Sequence, residues 1–146
     1  MERRIEPLKP EGRILAVDYG EKRIGLALSD PLRIFAKPYL MLENQGLEAL
    51  VHSLKEIIKS SSVQQVVLGI PWAIDGRLTP KTEETLLVLE HLKTHLEIPV
   101  IPWDERYSSD EAHKELKKMG RSWQQARQEV DAIAAAMILK SYLASL

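Results

Sequence analysis

The feature that most constrains the fold of this chain is an apolar run that ends in a carboxylate. Residues 14–17 are Ile-Leu-Ala-Val, and Asp18 follows them directly, before a glycine, two cations and a second apolar run. A continuous apolar run is typical of a strand buried on both faces of a sheet. Ligands bind beyond the ends of such strands, so Asp18 is placed to hold a metal ion. Asp18 and Gly20 are also ordinary turn residues, and a simple hairpin is the competing interpretation.

Two other predicted elements have acidic residues at their ends. The apolar run from Ile98 reaches Asp104 and Glu105, and Glu129 and Asp131 open the last helical pattern. Magnesium binds carboxylate oxygens and keeps positions for water and substrate phosphate. Two such ions about 3.5–4 Å apart can activate a water and stabilise the leaving oxygen of a phosphodiester. The acids therefore indicate phosphodiester hydrolysis, although Glu105 could simply pair with a cation and Asp131 could simply complement the helix dipole.

The periodicity of the apolar residues predicts an α/β fold in the order βββαβαβαα. Strands are predicted at 13–18, 23–29, about 33–42, 65–70 and 98–104, and helices at 47–58, 80–95, 108–120 and from 130 onward. Three antiparallel strands followed by two parallel ones give a mixed five-stranded sheet flanked by helices. We expect a single domain spanning residues 1–146, in which residues 1–12 form a flexible N-terminal extension.

Four motifs occur along the chain in a fixed order. They are Asp18-Tyr-Gly-Glu-Lys-Arg-Ile-Gly-Leu-Ala-Leu-Ser-Asp30, Gly69-Ile-Pro71 with Asp75-Gly76, Asp104-Glu-Arg-Tyr-Ser108-Ser109, and Val130-Asp131 with its alanine-rich continuation. With these motifs the chain resembles the YqgF family, Holliday-junction-resolvase-like nucleases with an RNase H-like fold. The resemblance implies that the first strand is central. It also implies that Asp18, Glu105 and Asp131 are the catalytic acids and the ligands of Mg²⁺ or Mn²⁺, with water as the nucleophile.

The same resemblance implies a nucleic-acid substrate. Processing of the 5′ end of precursor 16S rRNA in ribosome biogenesis is the first expectation, and resolution of Holliday junctions in recombination or repair is the alternative. The chain departs from the family pattern at Trp72, where a smaller apolar residue is commoner. It also departs at Gln128-Glu129, where a basic residue is usual, and the added negative charge lies near the expected metal site.

Three cations adjoin the acidic motifs and are candidate substrate-binding residues. Lys22 and Arg23 follow Asp18, and Arg106 follows Glu105. Arginine can bind phosphate through two hydrogen bonds. The alternative is a purely structural role, in which Lys22 and Arg23 are solvated charges of the hairpin and Arg106 orients Glu105. Trp72 could stack on an unpaired base or pack in the core.

The net charge is unusual for a protein that binds nucleic acid, because phosphate contacts usually come from clustered Lys and Arg, although divalent ions bound at an acidic site would supply part of the missing positive charge. The formal net charge is −1 and the chain has no cysteine, which excludes disulfides and thiolate zinc sites. We expect no membrane segment, a cytoplasmic location, and either a monomer or a homodimer. Two other classes stay open: a nucleotide-binding domain of the actin-like ATPase type, and a non-catalytic module that binds RNA or a transcription factor.

Overall fold

The computed structural model describes residues 12–107 and 130–146 of the chain. The described strands are β1 (Arg13–Asp18), β2 (Arg23–Ser29), β3 (Ala36–Glu43), β4 (Val63–Ile70) and β5 (Val100–Asp104). The described helices are α1 (Leu47–Ser60), α2 (Pro80–His95) and α3 (Val130–Ala144), and a short 3₁₀ turn, Glu105–Tyr107, follows β5. The helix expected at 108–120 and residues 1–11 of the expected extension lie outside these ranges.

The five strands form one mixed sheet with β1 at its centre. The strand order is β3-β2-β1-β4-β5. Strand β2 is antiparallel to both β1 and β3, whereas β1, β4 and β5 run parallel to one another. This confirms the predicted sheet and the central position of its first strand. The carboxyl ends of β1, β4 and β5 consequently meet at the same edge.

Each face of the sheet packs against its own set of helices. Side chains alternate between the faces of a strand. Leu15 and Val17 of β1 join the core under α1 and α2, while Ile14 and Ala16 join the core under α3. Helix α3 lies so close to β2 that a Cβ atom added at Gly25 would overlap the backbone carbonyl of Asp131. Only glycine at this position lets the first turn of α3 reach the sheet.

Helix α3 is more deeply buried than its sequence pattern predicts. Its sequence spacing predicts one buried stripe made of Val130, Ile133, Ala134, Met137 and Ile138, but Val130 and Ala134 are only half-buried. The buried residues are Ala132, Ile133, Ala135, Ala136, Met137, Ile138, Leu139 and Tyr142. A helix that is apolar nearly all round has no clear amphipathic period, so periodicity places its buried face poorly.

Local turn chemistry moves two of the predicted boundaries. Strand β3 begins at Ala36 rather than near residue 33, because the Asp30 carboxylate accepts hydrogen bonds from the backbone NH groups of Ile34 (2.8 Å) and Phe35 (2.7 Å). Gly12, expected in the flexible extension, is buried, and its carbonyl accepts a hydrogen bond from Nε of Arg33 at 3.2 Å. Gly12 is therefore part of the folded domain rather than of the extension.

Helix α2 begins where its sequence predicts. Thr79 is the N-cap, and its hydroxyl accepts a hydrogen bond from the backbone NH of Thr82 at 3.1 Å. Pro80 occupies the first helical position, where its missing NH is not needed. None of the helices within residues 12–107 and 130–146 has the length and apolar character required to cross a membrane.

Candidate nuclease active site

The site begins with two acidic side chains at the carboxyl edge of the sheet. Asp18 is the last residue of β1, and Glu105 follows the last residue of β5. A hydrogen bond joins the two carboxyl groups when Asp18 is protonated. Burial, the negative charge of Glu105 and this hydrogen bond raise the pKa of Asp18 well above its ordinary value. The metal-free protein thus holds two acids together at a cost in free energy that a cation would relieve.

Gly69 of strand β4 lies directly against the side chain of Glu105. A Cβ atom added at Gly69 would lie 2.8 Å from Cγ of Glu105 and 2.6 Å from Cδ1 of Ile138 in α3. A Cβ atom this close to carbon atoms would force Glu105 and Ile138 to shift, so glycine at position 69 leaves room for Glu105 to lie over the sheet in this position. Gly69, the first residue of the Gly69-Ile-Pro71 motif, therefore forms the surface on which Glu105 packs.

Asp131 lies near this pair but is hydrogen-bonded elsewhere. It is in the first turn of α3, and its negative charge contributes to the raised pKa of Asp18. Its Oδ2 atom accepts a hydrogen bond from Nε of Arg23 at 2.8 Å. The structure thus brings Asp18 and Glu105 into contact, and it places Asp131 within electrostatic range in an ion pair with Arg23. Lys22, beside Arg23, has an exposed side chain.

Arg106 is bound to protein groups at two points. Its Nη2 atom lies 2.6 Å from Oδ2 of Asp104, its Nε lies 3.0 Å from the same oxygen, and its Nη1 donates to the carbonyl of Ile74 at 3.3 Å. The hydrogen bonds from Arg106 hold the pKa of Asp104 below its usual range. Asp104 is therefore an arginine partner, and Arg106 holds the turn that presents Glu105.

Sequence reasoning missed Lys81, which also belongs to this edge of the sheet. Lys81 lies in the first turn of α2, and its positive charge opposes the rise in the pKa of Asp18. It lines an open cleft of about 430 Å³ together with Tyr19, Glu21, Pro80, Glu84 and Thr85. A signal was present in the sequence, because the predicted start of a helix at Pro80 comes shortly after the Gly69-Ile-Pro71 motif.

Comparison with known proteins identifies the family. A family model described as "RuvX: Holliday junction resolvase" matches residues 12–145 of the chain. The chain belongs to the RuvX family. This confirms the resemblance to YqgF, which is the same family. Membership in RuvX also confirms the predicted enzyme class, a nuclease that hydrolyses phosphodiester bonds.

Two relatives show how far the similarity extends, and each is named "Putative pre-16S rRNA nuclease". The first, from Maridesulfovibrio salexigens, is 37% identical over 132 residues, which cover 90% of this chain and 98% of the relative. The second, from Syntrophomonas wolfei subsp. wolfei, is 39% identical over 131 residues, which cover 90% of this chain and 93% of the relative. The similarity to these relatives is therefore close to full length.

Two solved structures are similar in fold. Thermus thermophilus RuvC in complex with a Holliday junction substrate has a TM-score of 0.60 at 13% identity and covers 92% of this chain and 96% of its own. The fowlpox virus resolvase in complex with Holliday junction DNA has a TM-score of 0.53 at 14% identity and covers 91% and 97%. Both confirm the RNase H-like fold expected for this RuvX chain.

The chemistry of the acidic site fits a hard divalent cation. Within the described ranges, no three acidic or histidine side chains already lie close enough together to form a complete cluster for one ion. Asp18 and Glu105 nevertheless supply carboxylate oxygens side by side, and their mutual repulsion favours a cation between them. Asp131 carries a further carboxylate at this edge, with its Oδ2 atom held by Arg23. This donor set, made of oxygens alone, suits Mg²⁺ or Mn²⁺.

Proposed function

We propose that this RuvX protein is a divalent-metal-dependent nuclease that processes the 5′ end of precursor 16S rRNA. One observation supports the site above all others: the partly buried Asp18 is hydrogen-bonded to Glu105 at the carboxyl edge of the sheet. The names of the full-length relatives support the RNA substrate. A pre-rRNA nuclease acts where ribosomes are assembled, so the cytoplasm belongs to the same proposal.

In this proposal Asp18, Glu105 and Asp131 hold Mg²⁺ or Mn²⁺ through their carboxylate oxygens. The bound ion supplies an activated water and stabilises the oxygen that leaves the scissile phosphate. Asp18 must release its proton before it can serve as a ligand, because only the ionised carboxylate binds the cation well. The raised pKa of Asp18 therefore makes ion binding compete with protonation.

The cations around the acids have separate tasks. Lys81, on the α2 side, and Arg23, on the α3 side, flank the acidic pair and attract the phosphates on either side of the cleavage point. Lys22 adds a solvent-exposed charge to the same edge. Arg106 acts through Glu105 rather than on the substrate, because its guanidinium is already bound to Asp104 and to the carbonyl of Ile74.

Cleavage of branched DNA is the second candidate. The family description names Holliday junction resolvases, and RuvC shares the fold. A junction and a folded precursor RNA both present phosphates beside a break in regular stacking. The acidic site alone therefore favours neither, and RNA comes first only because of the relatives' names.

The decisive experiment compares end-labelled precursor 16S rRNA, a four-way DNA junction and a linear duplex of matched sequence, each with Mg²⁺, with Mn²⁺ and with chelator. Asp18→Asn should abolish cleavage while the protein stays folded. Glu90→Gln, which changes an exposed acid on the outer part of α2, is the matched control and should leave cleavage unchanged. Metal-independent binding that survives Asp18→Asn, without any cleavage by the wild type, would instead indicate a non-catalytic binding module.

A further inference from the structure

A small hairpin projects from the sheet edge beside the acids. The backbone NH of Ala73 donates to the carbonyl of Arg77 at 3.1 Å, and the NH of Gly76 donates to the carbonyl of Ala73 at 2.8 Å. Gly76 has a φ of 86°, the left-handed conformation that closes a three-residue hairpin loop. Ile74 occupies the tip of this hairpin and is 96% exposed.

The exposure of Ile74 contrasts with that of its neighbour Trp72. Trp72 is partly buried and packs against the core under α1 and α2, which is the second of the two roles considered for it from the sequence. A single exposed apolar side chain is common on protein surfaces and needs no explanation by itself. What distinguishes Ile74 is that its backbone is fixed and that its position is tied to the active site.

Arg106 provides that tie. Its Nη1 atom donates to the carbonyl of Ile74 at 3.3 Å, and its Nη2 and Nε atoms bind the carboxylate of Asp104. Glu105 lies between Asp104 and Arg106 in the chain, so the hairpin tip is connected to the residues on both sides of Glu105. The hairpin tip is therefore hydrogen-bonded to the turn that carries Glu105.

The charges near the tip suit a nucleic acid. The Arg77 side chain, which forms an ion pair with Asp75, is 80% exposed. Proteins that read distorted nucleic acids insert apolar side chains such as isoleucine at a break in base stacking, while neighbouring cations contact the phosphates. A continuous duplex offers no open base face, whereas a branch point or an unpaired nucleotide does.

We propose that Ile74 packs on the exposed face of a nucleobase at a break in stacking next to the scissile phosphate. This contact makes the enzyme selective for branched or unpaired sites. The inference rests on the proposed nuclease function, because it takes the scissile phosphate to lie over Asp18 and Glu105. Beyond that function, the inference names the part of the substrate that the hairpin tip contacts, an unstacked nucleobase.

The test uses a stem with one unpaired 2-aminopurine next to the cleavage point and a fully paired stem of the same sequence, each made as RNA and as DNA. Cleavage is measured with Mn²⁺, and 2-aminopurine fluorescence is titrated separately in chelator, where nothing is cleaved. Ile74→Ser should lower kcat/KM on the unpaired substrate by about ten-fold, because the buried apolar contact is lost, and should change it by less than about two-fold on the paired one. Ile74→Leu should restore selectivity, and Leu87→Ser, at a 71% exposed position of α2, is the matched control.

The two readouts separate this inference from the proposed function. If the wild type cleaves none of the substrates but Ile74→Ser abolishes the fluorescence change, the base contact is correct and the nuclease assignment fails. Equal selectivity and equal fluorescence for wild type and Ile74→Ser overturn the base contact, whatever the cleavage activity. So does an equal loss in the Leu87→Ser control, because that loss would reflect surface apolarity in general. A wild type that binds neither stem also overturns it.

Discussion

Arg23 donates a hydrogen bond from Nε to Oδ2 of Asp131 at 2.8 Å and so joins the start of β2 to the first turn of α3. The side chain of Asp131 is 25% exposed and that of Arg23 is 58% exposed. The pair is therefore accessible to solvent, and an ion pair of this kind contributes little to stability. The pair matters for the proposed function, because a metal ion held by Asp131 would compete with Arg23 for the charge of the same carboxylate.

The first prediction follows from this competition. Arg23→Ala should leave the stability of the protein nearly unchanged and should tighten Mn²⁺ binding by up to about five-fold, the equivalent of one exposed ion pair. Substrate affinity should fall, and the slope of its salt dependence should decrease by about one phosphate contact. Calorimetric titration of Mn²⁺ and substrate binding at several salt concentrations measure both effects. Arg23→Lys is the control, and an unchanged salt slope in Arg23→Ala would make Arg23 a partner of Asp131 alone.

The sheet could be predicted from the sequence because its determinants are local. The apolar run before Asp18, the turn residues between the strands and the cap at Thr79-Pro80 each act within a few residues, and the structure has the elements where they indicate. The predicted strand order also implied that Asp18 and Glu105 lie at the same edge, because β1 and β5 run parallel to each other.

The contacts of the charged side chains could not be predicted in the same way. Arg23 and Asp131 are 108 positions apart, and their hydrogen bond depends on the close approach of α3 to Gly25. The nearness of Lys81 to Asp18 depends on where α2 begins relative to β1. These relationships come from packing between elements, which no local pattern encodes.

The second prediction concerns pH and metal-free stability. Burial and the negative charge of Glu105 raise the pKa of Asp18 above its ordinary value of 3.8 in the folded state. At a pH between the ordinary pKa of the unfolded chain and the raised pKa of the folded protein, the folded protein holds a proton on Asp18 that the unfolded chain has released. The contribution of Asp18 to the free energy of unfolding is therefore fully present below about pH 4 and is lost as the pH rises through the folded-state pKa. In chelator, Asp18→Asn should therefore flatten the decline and be more stable than the wild type at pH 7–8. Urea unfolding across this pH range measures the effect, and a less stable Asp18→Asn protein would contradict it.

The third prediction tests the close contact of Gly69 with Glu105 and Ile138. Gly69→Ala should destabilise the protein by about 1–3 kcal/mol, because the new methyl group overlaps both Ile138 and Glu105. It should also lower cleavage by displacing Glu105. Adding Ile138→Val removes the Cδ1 atom that lies 2.6 Å from the new Cβ and should recover part of the stability. Activity should stay low in the double variant, since the overlap with Glu105 persists. Recovery of both together would mean that Gly69 matters only for packing against α3.

The fourth prediction assigns a task to Lys81, whose charge opposes the rise in the pKa of Asp18. If Lys81 is removed, Asp18 is left with Glu105 and Asp131, so its pKa should rise further. Lys81→Met should therefore steepen the loss of metal-free stability between acidic and neutral pH, by the same linkage that Asp18→Asn should flatten. It should also weaken substrate binding and reduce the slope of the salt dependence of binding by about one.

Lys55→Met, at an exposed position in the middle of α1, is the control. Urea unfolding in chelator and substrate titration at several salt concentrations measure the two effects independently. A changed pH profile with an unchanged salt slope would restrict Lys81 to balancing the charge of the acids, and an unchanged pH profile would remove it from the site.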